Sequence, residues 1–201
     1  MLDHTMTPTV VFAMWLAMTF IMMMPAVSPW VTVVARLASS SSGRVRTGME
    51  FLTGYLATWV PYALIGASAQ LVLLQRGLLP AGDALGRAVG GVVLIGAGLF
   101  QFSPFKAACL RHCRSPLGFF LERWDDGPAA PWLLGVRHGL FCLGCCWALM
   151  AVVFAVGIMS IVWMAVLAFA ILLEQVAARG RDLSRVIGVS LIVWGLVRIA
   201  L

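Results

Sequence analysis

The five cysteines are the residues in this sequence best equipped to do chemistry, and all of them lie between Cys109 and Cys146. Cys109 and Cys113 form a C-x-x-x-C pair, and Cys142, Cys145 and Cys146 form a C-x-x-C-C group. Residues three and four apart share a helix face, so on helices each group would present its sulfurs together. Thiolate sulfur ligates soft metals and takes part in thiol exchange. His112 and His138 fall inside the two neighbourhoods and could add imidazole nitrogen. A buried free cysteine is also a good small hydrophobe, and small residues are favoured where membrane helices pack closely. That explanation suffices for one cysteine but not for five in two clusters.

A second soft-ligand feature lies near the start of the chain. Met14, Met18 and Met22 fall at i, i+4 and i+8, stacking three thioethers on one helix face, and Met23, Met24 and Pro25 follow. Met150 comes four residues after Cys146, on the same face. Thioether and thiolate together select Cu(I), whereas zinc would recruit more histidine or carboxylate. Methionine stripes also serve as packing filler, so their metal reading rests on coupling to the cysteines. Ionisable residues at membrane depth are functional candidates; Glu50 and Glu174 sit at the ends of apolar runs, where they can reach water, and solvation there stands level with a metal-linked or proton-linked role. Glu122, Asp125 and Asp126 beside Arg123 read as a solvated loop surface. Nucleophilic triads, P-loops and phosphate-cradling glycine motifs are missing, so no catalytic residue is assigned.

The elements that must position these groups follow from composition. The 201 residues are 62% hydrophobic and 11% charged, with mean hydropathy +0.98, against roughly 45–50% and about 25% for soluble domains. In a bilayer every backbone polar group must be satisfied internally, and the alternation of a barrel is missing, so the apolar runs must be helices. The fold expected is an all-α polytopic transmembrane bundle, a single domain over 1–201. Spans are expected near Val10–Ala35, Phe51–Leu74, Leu85–Phe102, Leu140–Val156, Met159–Leu173 and Val186–Leu201. His138 to Leu173 as one helix would run to roughly 54 Å, far beyond the ~30 Å hydrocarbon thickness, which argues for a break around Gly157–Ser160. The first span reads as retained, not as a cleaved signal peptide.

A net charge of +6 in a soluble protein would raise the question of nucleic acid, but here topology explains it. Six spans place Arg36, Arg44, Arg46, Lys106, Arg111, Arg114, Arg123, Arg137, Arg179, Arg181 and Arg185, eleven of the 14 basic residues, on one side. Arg76, Arg87 and Arg198 remain opposite. By the positive-inside rule the richer side is cytoplasmic and both termini are periplasmic. The expected partner is the lipid bilayer, with no nucleic acid. Ser39 to Gly43 reads as a flexible connector, and the segment Ser103 to Arg137 as a long cytoplasmic loop between spans 3 and 4, carrying Cys109, Cys113, Phe119-Phe120, Trp124 and Trp132. The glycines Gly90, Gly91, Gly96 and Gly98 read as close helix packing.

The segment from Phe100 to Pro116, with Cys109-Leu110-Arg111-His112-Cys113, resembles a bacterial family of predicted metal-binding integral membrane proteins. The stretch Gly135 to Met150, with Cys142-Leu143-Gly144-Cys145-Cys146-Trp147, resembles its glycine-cysteine-cysteine-tryptophan signature; Gly157-Ile158-Met159, Glu174 and the Met14-to-Pro25 opening continue the likeness. The resemblance implies ligands at Cys109, Cys113, Cys142, Cys145 and Cys146, with Met150, His112 and His138 nearby, in a multi-pass protein of the bacterial inner membrane. The expected function is soft-metal binding, with Cu(I) before zinc, in metal transport, delivery or metalloenzyme assembly, with a membrane protein or copper enzyme complex as partner. Two alternatives stand beside it: a structural or assembly subunit of a larger membrane complex, and a membrane thiol–disulfide oxidoreductase.

Overall fold

The computed structural model describes residues 7–36, 41–79, 84–114, 127, 129–177 and 179–201. Among these, all regular structure is helical, as the composition requires: α1 (Pro8–Arg36), α2 (Ser41–Ala57), α3 (Val60–Gln75), α4 (Arg87–Phe100), α5 (Pro104–Cys113), α6 (Ala130–Ala151), α7 (Val153–Val156), α8 (Ile161–Val176) and α9 (Gly180–Ala200).

Local chemistry sets the helix ends and breaks. In α1, Pro29 cannot supply the amide that the Pro25 carbonyl would accept; Ser28 Oγ donates to that carbonyl at 3.0 Å, and the helix continues through both prolines. Pro61 interrupts the ladder between α2 and α3. Thr58 Oγ1 donates to the Tyr55 carbonyl at 2.6 Å beside this break. Ser103 caps α5, its hydroxyl accepting from the Phe105 amide at 3.2 Å, with Pro104 following. Gly157, at φ +115°, ends α7, a conformation essentially reserved for glycine. Ser160 then opens α8, so the break expected at Gly157–Ser160 is present.

Four helical stretches are long and apolar enough to cross a membrane: Pro8–Arg36, Gly43–Gln75, Ala130–Val156 and Gly180–Ala200. A fifth would be α4 with α5, a pair bent by 66°. The expected span Met159–Leu173, which corresponds to α8, is apolar but has only 16 residues as a helix. At 1.5 Å per residue it extends about 24 Å, short of a full hydrocarbon crossing.

The structure redraws the segment Ser103 to Arg137. Cys109 and Cys113 lie on a helix, and α6 begins at Ala130, ten residues before Leu140, so Trp132, Arg137 and His138 are helical too. Composition hid this because Arg137 and His138 look like loop residues when read one at a time. The expectations about Phe119-Phe120, Glu122, Arg123, Trp124, Asp125 and Asp126 lie outside the described residues. Those about Ser39 and Ser40 do too, while α2 already begins at Ser41.

The core is built around α6. Its partner α2 approaches so closely that a Cβ at Gly135 would collide with the Phe51 carbonyl and one at Gly139 with Thr58. Across from α2, α5 packs on α6, while α1 packs on α2, α3 and α8. Stacking of Trp15 on Phe154 (5.1 Å) and of Trp30 on His138 (3.9 Å) sets α1 antiparallel to α6.

Candidate metal centre

The thiols of Cys142, Cys145 and Cys146 lie within 4.8 Å of one another and are all buried. Helical spacing explains the grouping: one turn separates 142 from 145 and 146 on α6. Cys145 and Cys146 are 3.2 Å apart at sulfur. Cys113 arrives from α5 and stands 3.9 Å from Cys145. The two cysteine motifs, separate in sequence, therefore meet at one place. Cys109 is one turn back along α5, its sulfur lying over Gly144, where a Cβ would stand 2.8 Å away.

Other helices supply groups that the sequence did not reveal. From α2, the Tyr55 hydroxyl lies 3.1 Å from Cys142 Sγ. From α8, Gln175 Nε2 donates to Cys142 Sγ at 3.3 Å and to Cys146 Sγ at 3.5 Å. No motif announces either residue, because their role comes from helix pairing and not from local spacing. His138 is buried one turn before Cys142, stacked among Trp30, Phe51 and Tyr55. His112 is exposed, its Nδ1 3.0 Å from the Ala108 carbonyl and its ring stacked on Phe141; the fold does not bring it to the thiols.

Met150 is fully buried on α6. Met18 and Met22 are buried and Met14 half-buried, and all three line one side of an apolar groove between α1 and α8 with a volume of about 610 Å³. Met164 of α8 faces them from the other wall. That fourth thioether was missed because one methionine in an apolar helix carries no pattern. Leu172, which also lines the groove, is three residues from Gln175 and so shares its helix face.

Of the readings open for Glu174, solvation at the span end does not hold. It is buried and paired with Lys106 at 2.6 Å, both side chains 1% exposed. Lys106 is the one lysine among the 14 basic residues, and that singularity was the available signal. A compact ammonium can be held in a small buried site more readily than the broad guanidinium fork. The pair joins α5 to α8 beside the cysteines. Arg114 adds a hydrogen bond to the Ala177 carbonyl. Glu50 keeps to its expectation, partly exposed and bridged to Arg46 at 2.8 Å.

The donor set decides what the centre suits. Four soft sulfurs converge in a buried place, and among the described residues no carboxylate joins the three-thiol group. Thiolate-rich sites of this kind select Cu(I) among biological metals, and a Cys₄ set also accommodates zinc. No curated protein and no solved structure matches the chain. A family model described as PpoB2, copper chaperone, matches residues 12–198. That match takes in the methionine face, both cysteine motifs and Gln175, and the chain belongs to the PpoB2 copper chaperone family.

Proposed function

We propose that this protein is a membrane-embedded copper chaperone that holds Cu(I) as a thiolate complex at Cys142, Cys145 and Cys146, with Cys113 as the fourth sulfur. The observation that carries the reading is the buried three-thiol group in a chain of a copper chaperone family. Met14, Met18 and Met22, with Met164, form a thioether-lined approach on one side of the bundle. Passage from thioether to thiolate is ligand exchange toward the softer, charged donor and requires no nucleotide.

Membrane embedding is supported by the outer surface. Ile21, Ile65, Val92, Ile161 and Val162 are each more than 60% exposed, and soluble monomers rarely present contiguous apolar patches on such a scale. We place the chain in the bacterial cytoplasmic membrane with both termini periplasmic. Delivery is to a membrane protein or copper enzyme complex. Reporter fusions at Arg44 and Arg76 should mark opposite sides, and equal labelling would overturn this topology.

The deciding experiment measures metal content on protein purified anaerobically with reductant and loaded with copper or zinc. Wild type should hold roughly one copper per chain, as a single thiolate site would, and Cys142→Ser/Cys145→Ser should hold none. Metal-free wild type, or zinc retained in preference to copper, would sink the proposal.

A further inference from the structure

Resting on the copper reading above, we infer that Lys106 and Glu174, with Arg114 beside them, are positioning residues that fix the register of α5 and so bring Cys113 to the thiols of α6. Cys113 is the one sulfur of the four that does not come from α6, so helical spacing does not place it. It stands 3.9 Å from Cys145 and also contacts Cys142 at sulfur. Its position is that of α5, a separate helix of 10 residues. That helix leaves α4 at a bend of 66°, where Ser103 and Pro104 begin it anew, so α4 does not carry it forward as one rod.

The contacts of α5 do two different things. Cys109 lies over Gly144, which lets α5 come close to α6, but a sulfur over a glycine has nothing to interlock with along the axis. Lys106 and Arg114 supply that hold. They reach α8 from the two ends of α5, Lys106 to Glu174 at 2.6 Å and Arg114 to the Ala177 carbonyl. Cys113 is on the same face as Lys106, two turns and about 10 Å further along the axis. Between the two anchor points on α8, Gln175 reaches Cys142 and Cys146. Residues 174–177 are thus a common reference against which both cysteine motifs are set. Stability does not account for a buried ion pair at this place, because apolar residues of similar volume often serve as well or better. What the pair adds is one fixed partner at one fixed distance, and register is the best-attested use of buried ionic groups.

The test uses the full chain in detergent under reductant and compares wild type with Cys113→Ser, Lys106→Met/Glu174→Leu, and the two combined. The double variant should unfold thermally as wild type does, yet its Cys113 should be out of place. In metal-free protein, maleimide alkylation of Cys113, followed by mass spectrometry, should run about 10-fold faster in the double variant through local opening. After copper loading, the double variant should match Cys113→Ser: a copper–thiolate absorption shifted in the same sense, and Cu(I) affinity against a chromophoric chelator lowered about 10-fold. Adding Cys113→Ser to the double variant should then change neither, because the two effects act through one sulfur. A double variant that alkylates and binds copper as wild type does, and that still loses affinity when Cys113→Ser is added, would overturn the inference. Should the double variant fail to fold, Glu174→Gln decides, since it keeps the shape of the side chain and removes its charge; Cys113 alkylation at the wild-type rate there would overturn the inference equally. Wild type without copper would be a failure of the chaperone reading, and alkylation of metal-free protein would still decide the positioning role.

Discussion

Two helix pairs in this bundle are zipped by glycine, and they serve different ends. Between α4 and α9, Cβ atoms at Gly98 and Gly195 would each stand 2.7 Å from the carbonyl of the facing glycine, Gly188 and Gly91. Ile95, Ile192 and Ile199 fill the middle of that seam, with Gln101 beside Gly188 and Arg198 beside Gly90 towards its ends, and no cysteine stands there. Between α2 and α6, Gly54, Gly135 and Gly139 bring backbones equally close, but Tyr55, His138 and Cys142 stand at the contact. Glycine thus measures how near two helices come and says nothing of chemistry. What makes the second seam a site is that nearness places a phenol within hydrogen-bond reach of a thiol.

That contrast can be broken by substitution. The largest effect is expected at Gly135→Leu, where a side chain would have to displace the α2 backbone at Phe51; cooperative thermal unfolding and copper binding should both be lost. A copper-loaded Gly135→Leu protein would show that Tyr55 and α2 contribute nothing to the centre. Next comes the buried pair behind the cysteines. Glu174→Leu should destabilise by about 3–5 kcal/mol by stranding Lys106, while Lys106→Met with Glu174→Leu should recover most of that loss. Chemical denaturation of the three proteins measures it, and equal instability of single and double variants would count against the pair. Gly98→Leu should cost about 1–3 kcal/mol through overpacking yet leave copper affinity at the wild-type value in a titration, since the α4–α9 seam holds no ligand. The smallest effect belongs to Arg46→Ala, at an exposed i,i+4 bridge, where unfolding midpoint and copper content should both match wild type.

The cysteines were legible as a cluster because helical spacing alone puts 142, 145 and 146 on one face. The break at Gly157 was legible too, because an apolar run longer than a bilayer is thick must turn. The junction of α5 with α6 was not, since residues 109–113 and 142–146 meet through tertiary packing that no spacing encodes. Tyr55, Gln175 and Met164 were missed for the same reason: each is an ordinary residue on its own helix and becomes part of the centre only through its neighbour. Glu174 stayed open between solvation and a buried role because its position along the chain suggested an interface, whereas its partner Lys106 lies on another helix. In this fold, local pattern identifies the cysteine cluster and leaves out what surrounds it.

The stacking of Trp30 on His138 has an optical consequence. The rings are 3.9 Å apart, and His138 lies one helical turn, about 6 Å along the axis, from Cys142. Indole emission is quenched by neighbouring imidazole and by heavy, polarisable ions, so Trp30 is placed to signal occupancy of the thiols without any added dye. The fluorescence lost on loading wild type with Cu(I), minus that lost by Trp30→Phe, would isolate its contribution among the eight tryptophans. A chaperone passing its ion to an acceptor would then brighten as it emptied, and hand-over could be followed in real time from the chain's own light.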